Sequence, residues 1–162
     1  MTQKLIIDTD PGIDDAMAIH YAFAHQGLDV LGLTTIFGNV FAWQATRNAL
    51  LLSEQAHYRL DVAGGAAKPL IQPLNPPSHH VHGTEGFGDL PATQPQGAAL
   101  KKTAEEYLSD MCRAHSGEVI LCPVGPLTNL ASVLRHDPDI VKHVKKLVIM
   151  GGAVWVPGNV SA

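Results

Sequence analysis

The chain has 162 residues, 46% of them hydrophobic and 16% charged, with a formal net charge of −4. That size suits one domain with a substantial buried core. The charge balance gives no electrostatic case for nucleic acid, and no basic run addresses an anionic membrane surface. The two cysteines, Cys112 and Cys122, are too few for a disulfide framework and lack metal-ligand spacing. Cys122 sits in an apolar run and reads as a buried small residue. No run approaches the ~20 apolar residues of a membrane span. The first apolar run is short and ends in acids, unlike a secretory signal, so a reducing cytoplasm is the expectation.

Taken in order, Lys4 to Ile7 is a short apolar strand that stops at acids and the turn Pro11-Gly12. Asp14 to Gln26 carries Ala16, Ile19, Ala22 and Phe23 at helical spacing, with Gly27 as a C-cap. Leu28 to Phe37 is rich in Val, Leu, Ile and Thr and reads as a second buried strand, ended by Gly38-Asn39. Phe41 to His57 reads as a helix and Leu60 to Ala63 as a short strand ending at Gly64-Gly65. This alternation predicts βαβ units and an open, mostly parallel α/β sheet with flanking helices.

Residues 66–98 break the pattern. Six prolines and four glycines fall there, and no periodicity survives. A stretch this long inside one domain is a binding loop, a lid or a linker. Its centre, His79-His80-Val81-His82-Gly83, is not linker filler, which favours a functional loop. Regular structure then returns as a helix over Ala99–His115, a strand over Glu118–Cys122 and a helix over Leu127–Arg135. A short helix after Asp137-Pro138 and a strand over Lys146–Met150 complete it.

Asp8, Asp10, Asp14 and Asp15 fall within eight positions at the carboxyl end of the first strand and the amino end of the next helix. Ligands bind at that edge of open α/β sheets. Four like charges repel unless a cation joins them or some stay protonated. Hard divalent cations prefer such an all-oxygen set. Helix capping accounts for Asp14 and Asp15. It leaves Asp8 and Asp10 unexplained, which favours a metal or polar-ligand site. The other strand ends add Thr35–Asn39, Gly64-Gly65, Pro123–Gly125 and Met150–Gly152, where glycines let backbone approach a ligand.

Rival chemistries lack their marks. There is no Gly-x-Gly-x-x-Gly, no phosphate-binding Gly-x-x-x-x-Gly-Lys-Ser/Thr and no Gly-x-Ser-x-Gly elbow. The nine histidines form one close group, at 79, 80 and 82, without a second group at zinc spacing. A surface loop and a substrate-facing role for His82 both stay open.

Asp8-Thr-Asp10-Pro-Gly-Ile-Asp14-Asp15-Ala16 resembles the N-terminal signature of the inosine-uridine-preferring nucleoside hydrolases. Thr34–Val40, Thr46-Arg47-Asn48-Ala49, His82-Gly83, Gly125–Asn129, Val148–Gly152 and Gly158-Asn159 are similar to later segments of that family, in the same order. The resemblance covers essentially the whole chain and implies a nucleoside-hydrolase-like fold with a Rossmann-like core. It implies calcium-dependent hydrolysis of the N-glycosidic bond of a ribonucleoside, giving ribose and free base. By position, Asp10, Asp15 and the backbone carbonyl of Val124 would ligate Ca²⁺, with Asp10 also the general base on a metal-bound water. Asp14 would hold a ribose hydroxyl and Asn39 orient the water. Met150 and Asn159 would contact ribose, and His82 would lie near the base. Asp8 would support them from behind. A homo-oligomer, dimer or tetramer, is implied as well.

Members of that family run to about twice this length, roughly two domain lengths by the size prior. They draw a further aspartate ligand and a histidine acid from their second half. The expectation is therefore one α/β domain over 1–162 that carries half a site and is inactive or nearly so alone. Two other readings stand beside it. One is an inert metal- or ribose-binding module. The other is a haloacid-dehalogenase-like phosphatase, since strand-Asp-x-Asp also opens that Mg²⁺-dependent fold, with Asp8 as nucleophile. The Pro-Gly-Ile-Asp-Asp that follows, and the lack of a later Lys and acidic pair, weigh against the phosphatase.

Overall fold

Five strands, β1 (Gln3–Thr9), β2 (Leu28–Thr35), β3 (Asp61–Gly64), β4 (Val119–Pro123) and β5 (Val144–Leu147), form one parallel sheet. Their order is β3-β2-β1-β4-β5. The structure is a computed structural model and describes residues 2–158. The chain builds outward from β1 to β3, then returns to β1 and builds the other way. The reversal places a crevice between the carboxyl ends of β1 and β4, the usual ligand position in such sheets. Asp10 follows β1 and Val124 follows β4, so both emerge at that crevice.

Helices α1 (Ile13–Ala24) and α2 (Ala42–Gln55) connect the first three strands. A single helical turn, α3 (His79–His82), interrupts the long loop. Helices α4 (Ala104–Ala114) and α5 (Thr128–His136) and a 3₁₀ turn (Pro138–Lys142) follow. Among the described residues no helix is long and apolar enough to cross a membrane.

Alternation along β1 sorts its side chains to two faces. Leu5 and Ile7 pack with Ile19, Val30, Leu33 and Leu52 in one core. Ile6 packs with Tyr107, Leu108, Val119 and Val133 in the other. Burying a side chain such as Ile19 or Leu33 stabilises the fold by about 1.5–3 kcal/mol. The same alternation continues through Asp8 and Thr9 and sends them to opposite layers.

Two expected boundaries and one expected burial differ in the structure. The helix expected from Ala99 starts at Ala104, because Thr103 and Glu106 form a capping box: Thr103 N–H donates to Glu106 Oε2 at 2.8 Å, and Glu106 N–H to Thr103 Oγ1 at 3.2 Å. Upstream, Leu100 N–H donates to the Val62 carbonyl, so that segment runs beside β3. The strand expected over Lys146–Met150 is β5 at Val144–Leu147, although Val148 and Met150 still donate to the Leu121 and Pro123 carbonyls. The cysteine expected to be buried, Cys122, is half-buried, whereas Cys112 is fully enclosed; both are free thiols.

Candidate functional site

Asp8 and Thr9, the last residues of β1, anchor the site to both helical layers. Asp8 turns toward α5, where its Oδ1 accepts from Asn129 Nδ2 at 2.8 Å and from Thr34 Oγ1 at 2.6 Å. Asp8 is only 2% exposed, and its Oδ2 is buried without a hydrogen-bond partner. Burial pushes its carboxyl up to about 6, against the lowering effect of Thr34 and Asn129. Thr9 turns toward α1 and donates to Asp15 Oδ1 at 2.6 Å.

Asp15 also accepts at Oδ2 from the Gly12 amide, at 3.2 Å, and from Asn39 Nδ2, at 2.9 Å. The capping role expected for the first turn of α1 is thus real for Asp15. Asp10 Oδ2 accepts from the Asn39 backbone amide at 2.7 Å. One residue after β2 therefore holds both carboxylates, by main chain and by side chain. Asp10 is buried, and its carboxyl is pushed up to about 7, chiefly by burial and next by the charge of Asp15; the Asn39 amide and its own pull the other way.

A cavity of about 570 Å³ opens over Asp10. Asp14, Asn39, Val124, Pro126 and Met150 line it, and Pro69 to Ser78 of the long loop supply another wall. Of the expected site residues, five converge on this cavity: Asp10, Asp14, Asn39, Val124 and Met150. Asp15 lies buried next to Asn39 and does not form the wall. His82 does not line it either. Its Nδ1 accepts from the Ile13 amide at 3.2 Å and sits 3.7 Å from Asp14 Oδ1, so the imidazole occupies the N-terminus of α1. The expected contact of Asn159 lies outside the described residues.

The oxygen donors present are of the kind that a hard cation takes. Asp10 and Asp15 are oxygen donors whose mutual repulsion a cation would relieve. Both Asp10 oxygens are cradled by glycines: a Cβ on Gly38 would overlap Oδ2, and one on Gly125 would come within 2.5 Å of Oδ1. Among the described residues no three His, Cys, Asp or Glu side chains form a group that could hold a metal ion.

The sequence profile described as inosine-uridine preferring nucleoside hydrolase matches residues 5–162. The chain belongs to this family. It is 47% identical over 160 residues to uridine nucleosidase 1 of Arabidopsis thaliana, covering 98% of this chain and 48% of that protein. It is 37% identical over 164 residues to the inosine-uridine preferring nucleoside hydrolase of Leishmania major, covering 99% and 52%. The solved structure of a plant nucleoside hydrolase superposes with a TM-score of 0.95 at 42% identity, over 99% of this chain and 51% of that one. A purine-preferring ribonucleoside hydrolase from Gardnerella vaginalis gives 0.94 at 32%, over 99% and 52%. The chain thus spans about half the length of the family members it matches. Its fold is theirs.

The sequence reading matched Arg47, Asn48 and Asn129 to family segments without giving them a role, and it passed over Gln44; all four brace the candidate site. Asn129 is fully buried; besides Asp8 it bonds the Thr35 carbonyl and the Ala66 amide. Gln44, Arg47 and Asn48 on α2 grip the loop at Thr84 and Glu85. Buried polar residues on an otherwise apolar helix face were the available signal, because such groups persist only when paired.

Proposed function

We propose that the protein carrying this chain hydrolyses the N-glycosidic bond of ribonucleosides, purine or pyrimidine, with calcium as cofactor, and that this chain supplies about half of the site. The observation that carries the reading is the convergence of Asp10, Asp14, Asn39, Val124 and Met150 on one cavity at the sheet's switch point. The names of the family relatives, uridine nucleosidase and ribonucleoside hydrolase, support the substrate class. Free thiols accord with a reducing cytoplasm. A homo-oligomer follows the family resemblance.

Asp10, Asp15 and the Val124 carbonyl would hold the ion, leaving the rest of roughly six to eight oxygens to substrate, water and other residues. When bound, calcium supplies charge that acidifies a water and orients vicinal hydroxyls. Asp14, exposed at the cavity wall, accepts a ribose hydroxyl. Asp10 takes the proton of the attacking water, and Asn39 fixes the carboxylate that receives it. The sugar becomes cation-like as the base departs, and the clustered carboxylates stabilise that charge. His82 is proposed to meet the base from the rim of α1.

The phosphatase reading requires Asp8 as an accessible nucleophile, and Asp8 is enclosed and held by Thr34 and Asn129. It is set aside. The binding-module reading differs from the hydrolase in one measurable respect, turnover. Calorimetry with Ca²⁺ and ribose, run beside ribose release from inosine and uridine, separates them. Calcium and ribose binding with little or no release by the 162-residue chain fits the half-site. Vigorous release by this chain alone would overturn the half-site, and absence of calcium binding would overturn the metal assignment.

A further inference from the structure

Residues 84–88 lie between the His82 turn and α2, and three α2 side chains bind them. Arg47 Nη1 donates to Glu85 Oε2 at 2.7 Å, and Nη2 to the Glu85 carbonyl at 3.3 Å. Gln44 Nε2 donates to the Thr84 carbonyl at 3.0 Å. Asn48 is fully buried and uses its whole amide. Its Oδ1 accepts from Arg47 Nε and Nη2, at 3.2 and 2.9 Å. Its Nδ2 donates to the Glu85 carbonyl at 2.9 Å and to the Pro11 carbonyl at 3.1 Å.

Pro11 sits between Asp10 and Gly12, so one amide ties the acidic turn to the histidine loop. Gly86, at φ +91°, packs where a Cβ would come within 2.7 Å of Asn48 Nδ2 and 2.9 Å of the Pro11 carbonyl. His82 is held on the same loop: its carbonyl accepts from Gly88 N–H at 2.8 Å while Nδ1 accepts from Ile13 N–H. An imidazole nitrogen that accepts an amide proton carries none itself, which leaves Nε2 as the N–H of the neutral ring.

We propose that Arg47, Asn48 and Glu85 are positioning residues: a part-buried clamp that sets the Asp10–Gly12 turn and the His82 ring relative to one another and fixes the ring's tautomer. A part-buried ion pair adds little net stability by itself, and a better-attested use is to select one arrangement. Here the planar guanidinium holds Glu85 and Asn48 at once through a rigid fork, a geometry that an ammonium on a flexible stem does not reproduce. The Arg47 guanidinium also lies 5.6 Å from the centroid of the Trp43 ring, and it holds the Glu85 carboxyl below the usual range. Its meaning for catalysis rests on the hydrolase reading above, but its test does not.

The test is amide exchange and imidazole nitrogen spectroscopy on the ¹⁵N-labelled chain and on Arg47→Ala, Glu85→Ala and Arg47→Lys, without metal or substrate. In the parent chain the His82 ring is expected as the Nε2–H tautomer. In the alanine variants Ile13 and Gly88 N–H should exchange at least about tenfold faster while Ile6 and Leu33 in the sheet stay unchanged, the pattern of local opening. The His82 nitrogens should move toward a tautomer average, and Arg47→Lys should recover only part of the protection. Should Arg47→Ala fail to fold, Glu85→Ala removes the same contact from the more exposed partner. Unchanged exchange at Ile13 and Gly88, or acceleration equal to that of Ile6 and Leu33, would overturn the clamp. Neither outcome depends on nucleoside turnover.

Discussion

Asn129 Nδ2 donates to Asp8 Oδ1 at 2.8 Å, joining residues 121 positions apart in sequence. This bond links the end of β1 to the start of α5. Asn129→Ala removes two donors and also strands the Ala66 amide. Unfolding should be easier by about 3 kcal/mol or more, since each buried group left unpaired costs about 1–3 kcal/mol. Asp8→Asn keeps an acceptor for Thr34 and removes a buried charge, so its loss near neutral pH should be smaller. Urea unfolding of both variants gives the comparison, and a larger loss for Asp8→Asn would contradict this account of the bond.

The pH dependence follows from Asp8 and Asp10. Both carboxyls are raised from 3.8, to about 6 and about 7, chiefly by burial. Between the unfolded and folded values the native chain holds protons that the unfolded chain has released. Stability from this source is complete below about pH 3.8 and is lost as pH rises through 6 and 7. The slope is about 1.4 kcal/mol per pH unit for each proton held only by the folded chain. Denaturation in chelator should therefore show stability falling from weakly acid to neutral pH. Calcium should restore it at neutral pH, because the ion replaces the protons. A metal-free chain that grows more stable over that interval would contradict the site electrostatics.

Gly125→Ala tests the cradle around Asp10. Its Cβ would stand 2.5 Å from Asp10 Oδ1 and 3.1 Å from Ile36 Cγ2. Overpacking of this kind costs about 1–3 kcal/mol. Calcium affinity by calorimetry should fall about tenfold or more, as when groups around a metal ligand are disturbed. An unaltered affinity would mean that Asp10 does not bind the ion through that oxygen.

Much of the sheet was legible because its signals are local. Leu5, Ile6 and Ile7, followed by Pro11-Gly12, mark a strand and its stop, and the later strands repeat the pattern. The acids at that stop marked the crevice. The Thr103–Glu106 capping box was also written in the sequence, as Thr-x-x-Glu, yet the helix was read from Ala99. What the sequence withheld depends on residues far apart. Nothing local to Asn129 says that it will reach Asp8, nor that Glu85 will be held from α2 by Arg47, 38 positions earlier. The family motif placed His82 beside a base, whereas its seat on the Ile13 amide became visible only once the loop was folded back on α1.

The two borders of the sheet are unlike. At β3, Leu100 lends its amide to Val62 and begins to cover the border. At β5 no further strand pairs among the described residues, and the side chains of Leu147, Val148, Ile149 and Met150 are about half exposed, near Lys145 and Lys146 in the chain. An uncovered strand invites another chain to continue its hydrogen-bond ladder, and lysines are a common deterrent. Among the described residues, charge is thus what guards the β5 border, and added salt should weaken that guard.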